Sequence, residues 1–245
     1  MRLPLAMISI HQLDIWEISL SFVGTVAELD LSLLTEDELE RYNRFIFDKH
    51  KKRFALARIA LRKIIAEYIK VPAQDIRFHY STYGKPTLDK EHEIQFNLSH
   101  SQDLAILAIT KTHAIGVDVE YFSSRPYFGI AKNLFSQAEI NALKHLHQSC
   151  TPLAFFAIWA QKEAIMKAVG LGLSYPTQKI TLATIPQKPY LIKDPYAHKT
   201  WKITHFMPYH GVSAAICYHP FLTQGRYFIY DFIKPTYDFT EFKIL

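Results

Sequence analysis

The sequence has few cysteines, few glycines and no long apolar runs. Its two cysteines, Cys150 and Cys217, have no motif spacing, which excludes a disulfide framework and favours a reducing compartment. No run approaches eighteen apolar residues, so no membrane-spanning helix is predicted. Only 8 glycines and 12 prolines occur beside 49% hydrophobic residues, which excludes a disordered chain. We therefore expect a cytoplasmic globular protein without a membrane partner.

The spacing of a zinc site is also absent. The 12 histidines are scattered, with no His-x-x-x-His pair and no Cys/His pattern, which argues against zinc. The formal net charge is +5, and much of the positive charge lies between Arg41 and Lys63. This charge favours an anionic partner but does not distinguish nucleic acid, a phosphorylated cofactor and an acidic protein.

Helix-start signals recur in the two halves of the chain. Capping boxes at Thr35/Glu38 and Ser136/Glu139 each predict a short helix, and a longer helix follows each of them. The predicted helices cover residues 35–47, 49–69, 136–147 and 151–170. The predicted strands cover residues 75–80, 103–110, 114–120, 179–184, 200–206 and 212–218, with 103–110 and 114–120 forming an antiparallel hairpin. Helices thus precede strands twice, which predicts an α+β fold with two similar halves, 1–122 and 123–245.

The stretch IGVDVE at residues 115–120 places two acids in an apolar strand. Val117 and Val119 alternate with Asp118 and Glu120, so both carboxylates lie on the face opposite the valines. Two like charges this close disfavour each other unless a cation lies between them. The helix PLAFFAIWAQKEAIMKAVG offers Glu163 as a third acid. Three carboxylates suit Mg²⁺, which takes its other ligands from water and substrate phosphates.

Other polar groups lie near these acids in sequence. Lys162 and Lys167 are on the same helix, and Lys167 shares a face with Glu163, a pair that alone reads as an ordinary surface ion pair. In YGKPTL, Gly84 allows a close approach of the backbone to a ligand, and Lys85 offers a point charge for phosphate. FNLSHS at residues 96–101 adds hydroxyls and an imidazole. Ordinary turn chemistry also explains both stretches.

Taken together, these stretches resemble a known family. GKP, FNLSHS, IGVDVE and WAQKEAIMK occur in the order and spacing of the signature motifs of Sfp-type 4'-phosphopantetheinyl transferases. The last motif is the most specific, with Trp, two residues, Lys-Glu-Ala, two residues and Lys. The matching residues are Trp159, Lys162, Glu163, Ala164 and Lys167. The resemblance extends over roughly residues 41–220.

The resemblance implies a fold and a reaction. The fold has two similar α+β halves related by pseudo-two-fold symmetry, with the active site in the cleft between them. The enzyme moves the 4'-phosphopantetheine arm of coenzyme A to a serine of an apo acyl, peptidyl or aryl carrier protein and releases adenosine 3',5'-bisphosphate. It requires Mg²⁺, with Mn²⁺ as the alternative. A monomer suffices, because one chain supplies both sides of the cleft.

The resemblance also implies roles for individual residues. The metal ligands would be Asp118, Glu120 and Glu163. Lys167 would neutralise a phosphate, and either Glu163 or a water on the metal would take the proton of the carrier serine. Lys162 would orient the carboxylates or contact the carrier. The residues around the nucleotide would be Arg41, Arg53, Gly84, Lys85, Pro86, Ser99 and His100.

One position departs from the family pattern. Some members have a lysine three residues before Arg41, where this chain has Glu38. The set of phosphate contacts on the early helices therefore differs, with Arg44 or Lys49 as candidate substitutes.

Two other functions fit parts of the pattern. A metal-dependent phosphodiester hydrolase (a nuclease) would also use acids, a lysine and a basic surface, but it would need no carrier serine. A nucleic-acid-binding protein would use the basic segment 41–63, and its affinity would fall steeply with salt and survive loss of Asp118. The apolar stripe of that segment and the absence of a base-stacking motif count against it, so we expect no nucleic-acid partner.

Overall fold

The computed structural model of the chain describes residues 7–21, 28–232 and 238–244. Within these ranges the helices are α1 (Glu36–Asn43), α2 (Asp48–Ile69), α3 (Tyr127–Leu134), α4 (Gln137–His145) and α5 (Thr151–Val169). The strands are β1 (Gln12–Ser19), β2 (His79–Tyr80), β3 (Pro86–Thr87), β4 (Ile94–Ser101), β5 (Leu104–Lys111), β6 (Gly116–Tyr121), β7 (Tyr190–Asp194), β8 (Lys199–Phe206), β9 (Val212–Tyr218), β10 (Gln224–Tyr230) and β11 (Phe239–Lys243). The predicted α+β class is confirmed.

Most of the strands belong to two large sheets. The first has the order β11-β10-β1-β5-β4, and the second has the order β6-β9-β8-β7. Neighbouring strands are antiparallel, except that β1 and β10 are parallel. The short strands β2 and β3 pair separately, on either side of the GKP turn.

The two large sheets pack face to face, and a long helix covers the outer face of each. Strand alternation sends Ile15 and Ile106 of the first sheet towards Val117 and Ala214 of the second, in a core between the sheets. On the outer faces, α2 packs against the first sheet and α5 against the second. Burying each large apolar side chain of these layers contributes about 1.5–3 kcal/mol. The fold therefore has two similar layers, each with one long helix on one sheet, and each sheet takes strands from both halves of the chain.

The predicted helices form, with changes at their ends. Both capping boxes are present, at Thr35 and at Ser136. The first helix ends at Asn43 rather than near residue 47, and Cys150 rather than Thr151 precedes the first residue of α5. Helix α3 was not predicted, because Ser, Pro and Gly between residues 121 and 130 indicate a boundary. Among the described residues, no helix is both long and apolar enough to cross a membrane.

The predicted hairpin between residues 103–110 and 114–120 is wrong. Strand β5 has β1 on one side and β4 on the other, so no edge remains for β6, which crosses to the second sheet and pairs with β9. The predicted strand at 179–184 is also wrong. Its backbone is satisfied by side chains instead, since Leu182 donates its N–H to Glu139 Oε1 at 2.7 Å and the Ala183 carbonyl accepts from Gln161 at 2.9 Å.

The division of the chain into domains at residues 122 and 123 stays a prediction. Strand pairing crosses this position twice. Strand β6 lies before it and pairs with β9, whereas β10 lies after it and pairs with β1. The two halves therefore exchange strands, and β6 brings its acids next to α5.

Candidate active site

The edge strands β4 and β6 of the two sheets lie side by side. Asn97 Oδ1 accepts a hydrogen bond from the backbone N–H of Val117 at 2.8 Å, and Ser101 Oγ accepts one from the N–H of Tyr121 at 3.2 Å. Residues 97, 99 and 101 share one face of β4, because side chains alternate along a strand. Polar residues of FNLSHS therefore hold IGVDVE in place.

Asp118 lies in the middle of this junction, and its two carboxylate oxygens differ. Oδ1 accepts hydrogen bonds from Ser99 Oγ at 2.9 Å and from Lys167 Nζ at 2.6 Å, and Lys167 Nζ also donates to Ser99 Oγ at 2.9 Å. Oδ2 is buried and has no hydrogen-bond partner among the described residues. A buried polar atom left in this state costs about 1–3 kcal/mol, and a cation would satisfy it.

Close packing of α5 on β6 brings Lys167 to Asp118. A Cβ atom at Gly116 would lie 2.1 Å from the carbonyl oxygen of Ala164 and 2.3 Å from the backbone nitrogen of Ala168. Only glycine fits there without a shift of the backbone. Gly116 was not identified from the sequence as a site residue, although a glycine within a strand is a signal of close backbone approach.

Glu120 is held by three side chains. Trp159 Nε1 donates to Oε1 at 3.1 Å, Ser101 Oγ donates to Oε2 at 3.3 Å, and Arg125 Nη2 lies 3.4 Å from Oε2. Burial and then the charge of Asp118 raise the pKa of Glu120, whereas Arg125 and the two hydrogen bonds lower it. The tryptophan of the WAQKEAIMK motif therefore orients an acid on β6. Arg125 was not identified from the sequence.

Glu163 is the least constrained of the three acids. The Glu163 carboxylate makes no hydrogen bond within the described part of the chain, and the side chain is half-buried. Burial, and after it the charges of Asp118 and Glu120, raise the pKa of Glu163 to about 7, although Lys167 acts in the opposite direction. A carboxyl with this pKa exchanges a proton readily near neutral pH.

Asp118, Glu120 and Glu163, here called the acidic cluster, fit a hard cation in their chemistry. All of their donor atoms are oxygens, Asp118 Oδ2 has no partner, and the negative charges raise the pKa of Glu163. In the described ranges, no three His, Cys, Asp or Glu side chains are already close enough to hold a metal ion. The carboxylates would thus have to close around a cation on binding.

Basic side chains from α1, α2 and α5 lie near His100 of β4. His100 is exposed but partly desolvated, which lowers its pKa, and the charges of Lys167, Arg41 and Arg53 lower it further. Arg53 makes a bidentate ion pair with Asp103, at 2.9 and 3.0 Å. Arg41, Arg53 and Lys167 around the His100 imidazole, here called the cation cluster, suit an anion such as a phosphate.

Glu38, the departure from the family pattern, has a structural role. Its buried carboxylate pairs with Arg58 and with Arg62, the latter at 2.9 Å, and it accepts the N–H of Thr35 in the capping box. The two candidate substitutes for the missing phosphate contact, Arg44 and Lys49, make other contacts. Arg44 pairs with the exposed Glu40, and Lys49 lies over the ring of Phe47.

Lys162 makes its contacts away from the acidic cluster, and its expected catalytic role stays a prediction. Its buried ammonium pairs with Glu139 at 2.9 Å and donates to the carbonyl oxygens of Thr177, at 2.7 Å, and Ile180. The reason is helical geometry. Successive residues of a helix point about 100° apart, so Lys162 faces the interior of the second half when Glu163 faces β6.

The GKP turn contains the remaining expected contacts. Gly84 is exposed with a φ of 78°, which glycine adopts without strain, and Pro86 begins β3. The Lys85 ammonium donates to three backbone carbonyls, those of Ile115, Lys167 and Ala168. Lys85 is therefore not directed at the cation cluster.

Comparisons with known proteins identify the family to which the chain belongs. The family model of the 4'-phosphopantetheinyl transferase superfamily matches residues 114–217, and that of the 4'-phosphopantetheinyl transferase N-terminal region matches residues 25–112. The change from one to the other falls in the connection between β5 and β6, where the chain passes between the sheets.

Curated relatives extend the match along the chain. The 4'-phosphopantetheinyl transferase HetI of Nostoc sp. is 32% identical over 223 residues, which is 89% of this chain and 92% of the relative. The 4'-phosphopantetheinyl transferase gsp of Aneurinibacillus migulanus is 28% identical, over 70% of this chain and 75% of its own. The L-aminoadipate-semialdehyde dehydrogenase-phosphopantetheinyl transferase of Mus musculus is 31% identical, over 64% and 55%. None of these matches supports a phosphodiester hydrolase, and the chain belongs to the 4'-phosphopantetheinyl transferase family.

Proposed function

We propose that the acidic cluster and Lys167 are the catalytic centre of this 4'-phosphopantetheinyl transferase. As a member of the family, the enzyme transfers phosphopantetheine from coenzyme A to carrier proteins. The observation that carries the proposed site is the environment of Asp118, with Lys167 on one oxygen and no partner on the other.

Asp118, Glu120 and Glu163 would hold Mg²⁺, with Mn²⁺ as the alternative. When bound, the cation supplies positive charge next to the pyrophosphate of coenzyme A, and this offsets the mutual repulsion of the acids. Trp159 and Arg125 keep Glu120 directed towards this position, and Ser99 orients Asp118. Ser99 therefore acts through Asp118 in this proposal.

The reaction is a displacement at phosphorus. The serine Oγ of the carrier forms a bond to the phosphorus that bears the pantetheine arm, and the bond from this phosphorus to the adenosine nucleotide breaks. Adenosine 3',5'-bisphosphate leaves. Glu163, or a water molecule that it orients, would take the serine proton, because the Glu163 carboxylate is half-buried and has no hydrogen-bond partner among the described residues. Lys167 neutralises charge on the phosphate that is displaced.

The cation cluster would bind the phosphates of the nucleotide. Arg41 and Arg53 both act electrostatically on His100, and Lys167, which acts on it too, also bonds to Asp118 of the acidic cluster. Gly84 and Pro86 stay predicted contacts of the nucleotide, through the exposed GKP turn. We further propose that the enzyme acts as a monomer in the cytoplasm, since β4, β6 and α5 of one chain form the whole site.

Intact-mass spectrometry of an apo carrier protein tests this function. With enzyme, coenzyme A and Mg²⁺, we expect the carrier to gain about 340 Da, the mass of the phosphopantetheine arm. EDTA and Glu163→Gln should abolish the gain. Glu91→Gln is the matched control, because the Glu91 side chain is 80% exposed and lies outside the site. Cleavage of phosphodiester substrates without modification of any of several carrier types would contradict the proposal.

A further inference from the structure

The ammonium of Lys85 joins the first half of the chain to the second. From the GKP turn, its Nζ donates to the carbonyl oxygens of Lys167 at 2.6 Å, Ile115 at 3.0 Å and Ala168 at 3.3 Å. An ammonium has three N–H donors. All three are therefore used within the protein.

Two of the acceptors are carbonyls at the end of α5. Helix α5 ends at Val169, and Gly170 follows in a left-handed conformation with its N–H bonded to the Met166 carbonyl. The carbonyls of Lys167 and Ala168 thus belong to the last turn, where no intrahelical donor is available. A positive charge there is also favoured by the helix dipole. Lys85 consequently completes the C-terminus of α5 from outside the helix.

The third acceptor lies at the start of β6. Ile115 immediately precedes this strand, and Asp118 follows three residues later. Lys167 contributes its carbonyl to Lys85 and its side chain to Asp118. One ammonium therefore holds the two backbone segments that carry the Asp118–Lys167 pair.

The electrostatic surroundings of Lys85 differ from those of the cation cluster. Burial, and to a smaller extent the charge of Lys199, lower the pKa of Lys85 to about 8, although Cys217 acts in the opposite direction. By contrast, Lys167, Arg41 and Arg53 are the cations that act on His100. Lys85 thus lies apart from the cations that would bind phosphates.

We propose that Lys85 is a positioning residue that fixes β6 and α5 so that Asp118 and Lys167 meet, and that it does not bind a phosphate of coenzyme A. This inference rests on the proposed catalytic centre. It gives the lysine of the GKP motif a different role from the one that the family resemblance implies.

Steady-state kinetics of Lys85→Met test the role, with Lys63→Met as the matched control. Lys63 is an exposed lysine of α2 outside the site. We expect kcat of Lys85→Met to fall about 10- to 100-fold, as for small misplacements of catalytic groups, with little change in KM for coenzyme A. The preference for coenzyme A over 3'-dephospho-coenzyme A should stay unchanged. A normal kcat with a raised KM for coenzyme A, or loss of that preference, would overturn the proposal.

Lysine labelling of the unmodified enzyme gives a second test that needs neither folding of a variant nor activity. In reductive methylation followed by peptide mass spectrometry, Lys63 should react readily. Lys85 should react several-fold more slowly, to the same extent with and without adenosine 3',5'-bisphosphate. Rapid labelling of Lys85 that the nucleotide suppresses would instead show a phosphate ligand. The measurement reports the reactivity of individual lysines and not enzymatic activity. It therefore distinguishes failure of this inference from failure of the proposed function.

Discussion

The raised pKa of Glu163 predicts a measurable effect of pH on stability. In the unfolded chain this carboxyl loses its proton near pH 4.5, whereas in the folded protein it keeps the proton up to about pH 7. Between these values the unfolded state binds fewer protons than the folded state. The free energy of unfolding must therefore decrease as the pH rises through this window.

The magnitude follows from the size of the shift. Each unit of pKa shift corresponds to about 1.4 kcal/mol, so the charged form of Glu163 destabilises the metal-free protein by about 3 kcal/mol above pH 7. Glutamine resembles the neutral acid. We therefore expect Glu163→Gln to be more stable than the wild type by up to about 3 kcal/mol at pH 8, and equal to it at pH 4.

Urea unfolding in EDTA at pH 4, 6 and 8 measures this difference. Glu91→Gln serves as the control for an exposed glutamate, and it should match the wild type at every pH. Adding Mg²⁺ at pH 8 should stabilise the wild type more than Glu163→Gln, because a ligand stabilises the state that binds it. A wild type and Glu163→Gln with the same pH dependence would refute the reasoning.

Three further substitutions test the site. Asp118→Ala should abolish transfer and leave the protein folded, because the loss of the hydrogen bonds from Lys167 and Ser99 is offset by removal of the unpartnered Oδ2 and of like-charge repulsion; a folded, fully active variant would contradict this. Gly116→Ala should destabilise the fold by about 1–3 kcal/mol through overpacking and lower kcat, measured by urea unfolding and carrier modification. Lys162→Met should lower the free energy of unfolding by about 3–5 kcal/mol, since it leaves the buried carboxylate of Glu139 without its counter-ion. A decrease in kcat at unchanged stability would instead support a catalytic role of Lys162.

Local signals predicted the local structure well. The two capping boxes open helices because their bonds lie within four residues, and the alternation in IGVDVE places the acids of β6 opposite its valines. These patterns depend on backbone geometry alone. Strand pairing does not, and the hairpin prediction failed because β5 already had a neighbour on each side.

The contacts of the lysines, like the pairing of the strands, could not be predicted from local sequence. Lys85, Lys162 and Lys167 all lie in motifs that suggest phosphate or carboxylate contacts. In the structure, only Lys167 pairs with an acid of the acidic cluster, whereas Lys85 and Lys162 satisfy backbone carbonyls. A long flexible side chain reaches whichever acceptor the fold brings near, and sequence spacing does not reveal that acceptor.

The sequence by itself determined the class of fold, four of the five described helices and the residues of the four motifs, because propensity, capping and strand alternation act over a few residues. The tertiary structure alone decided that β6 leaves the first sheet for the second, that Gly116 lets α5 contact it, and that Asp118 meets Lys167. These contacts join residues about 50 to 100 positions apart, and they depend on how two sheets and a helix pack.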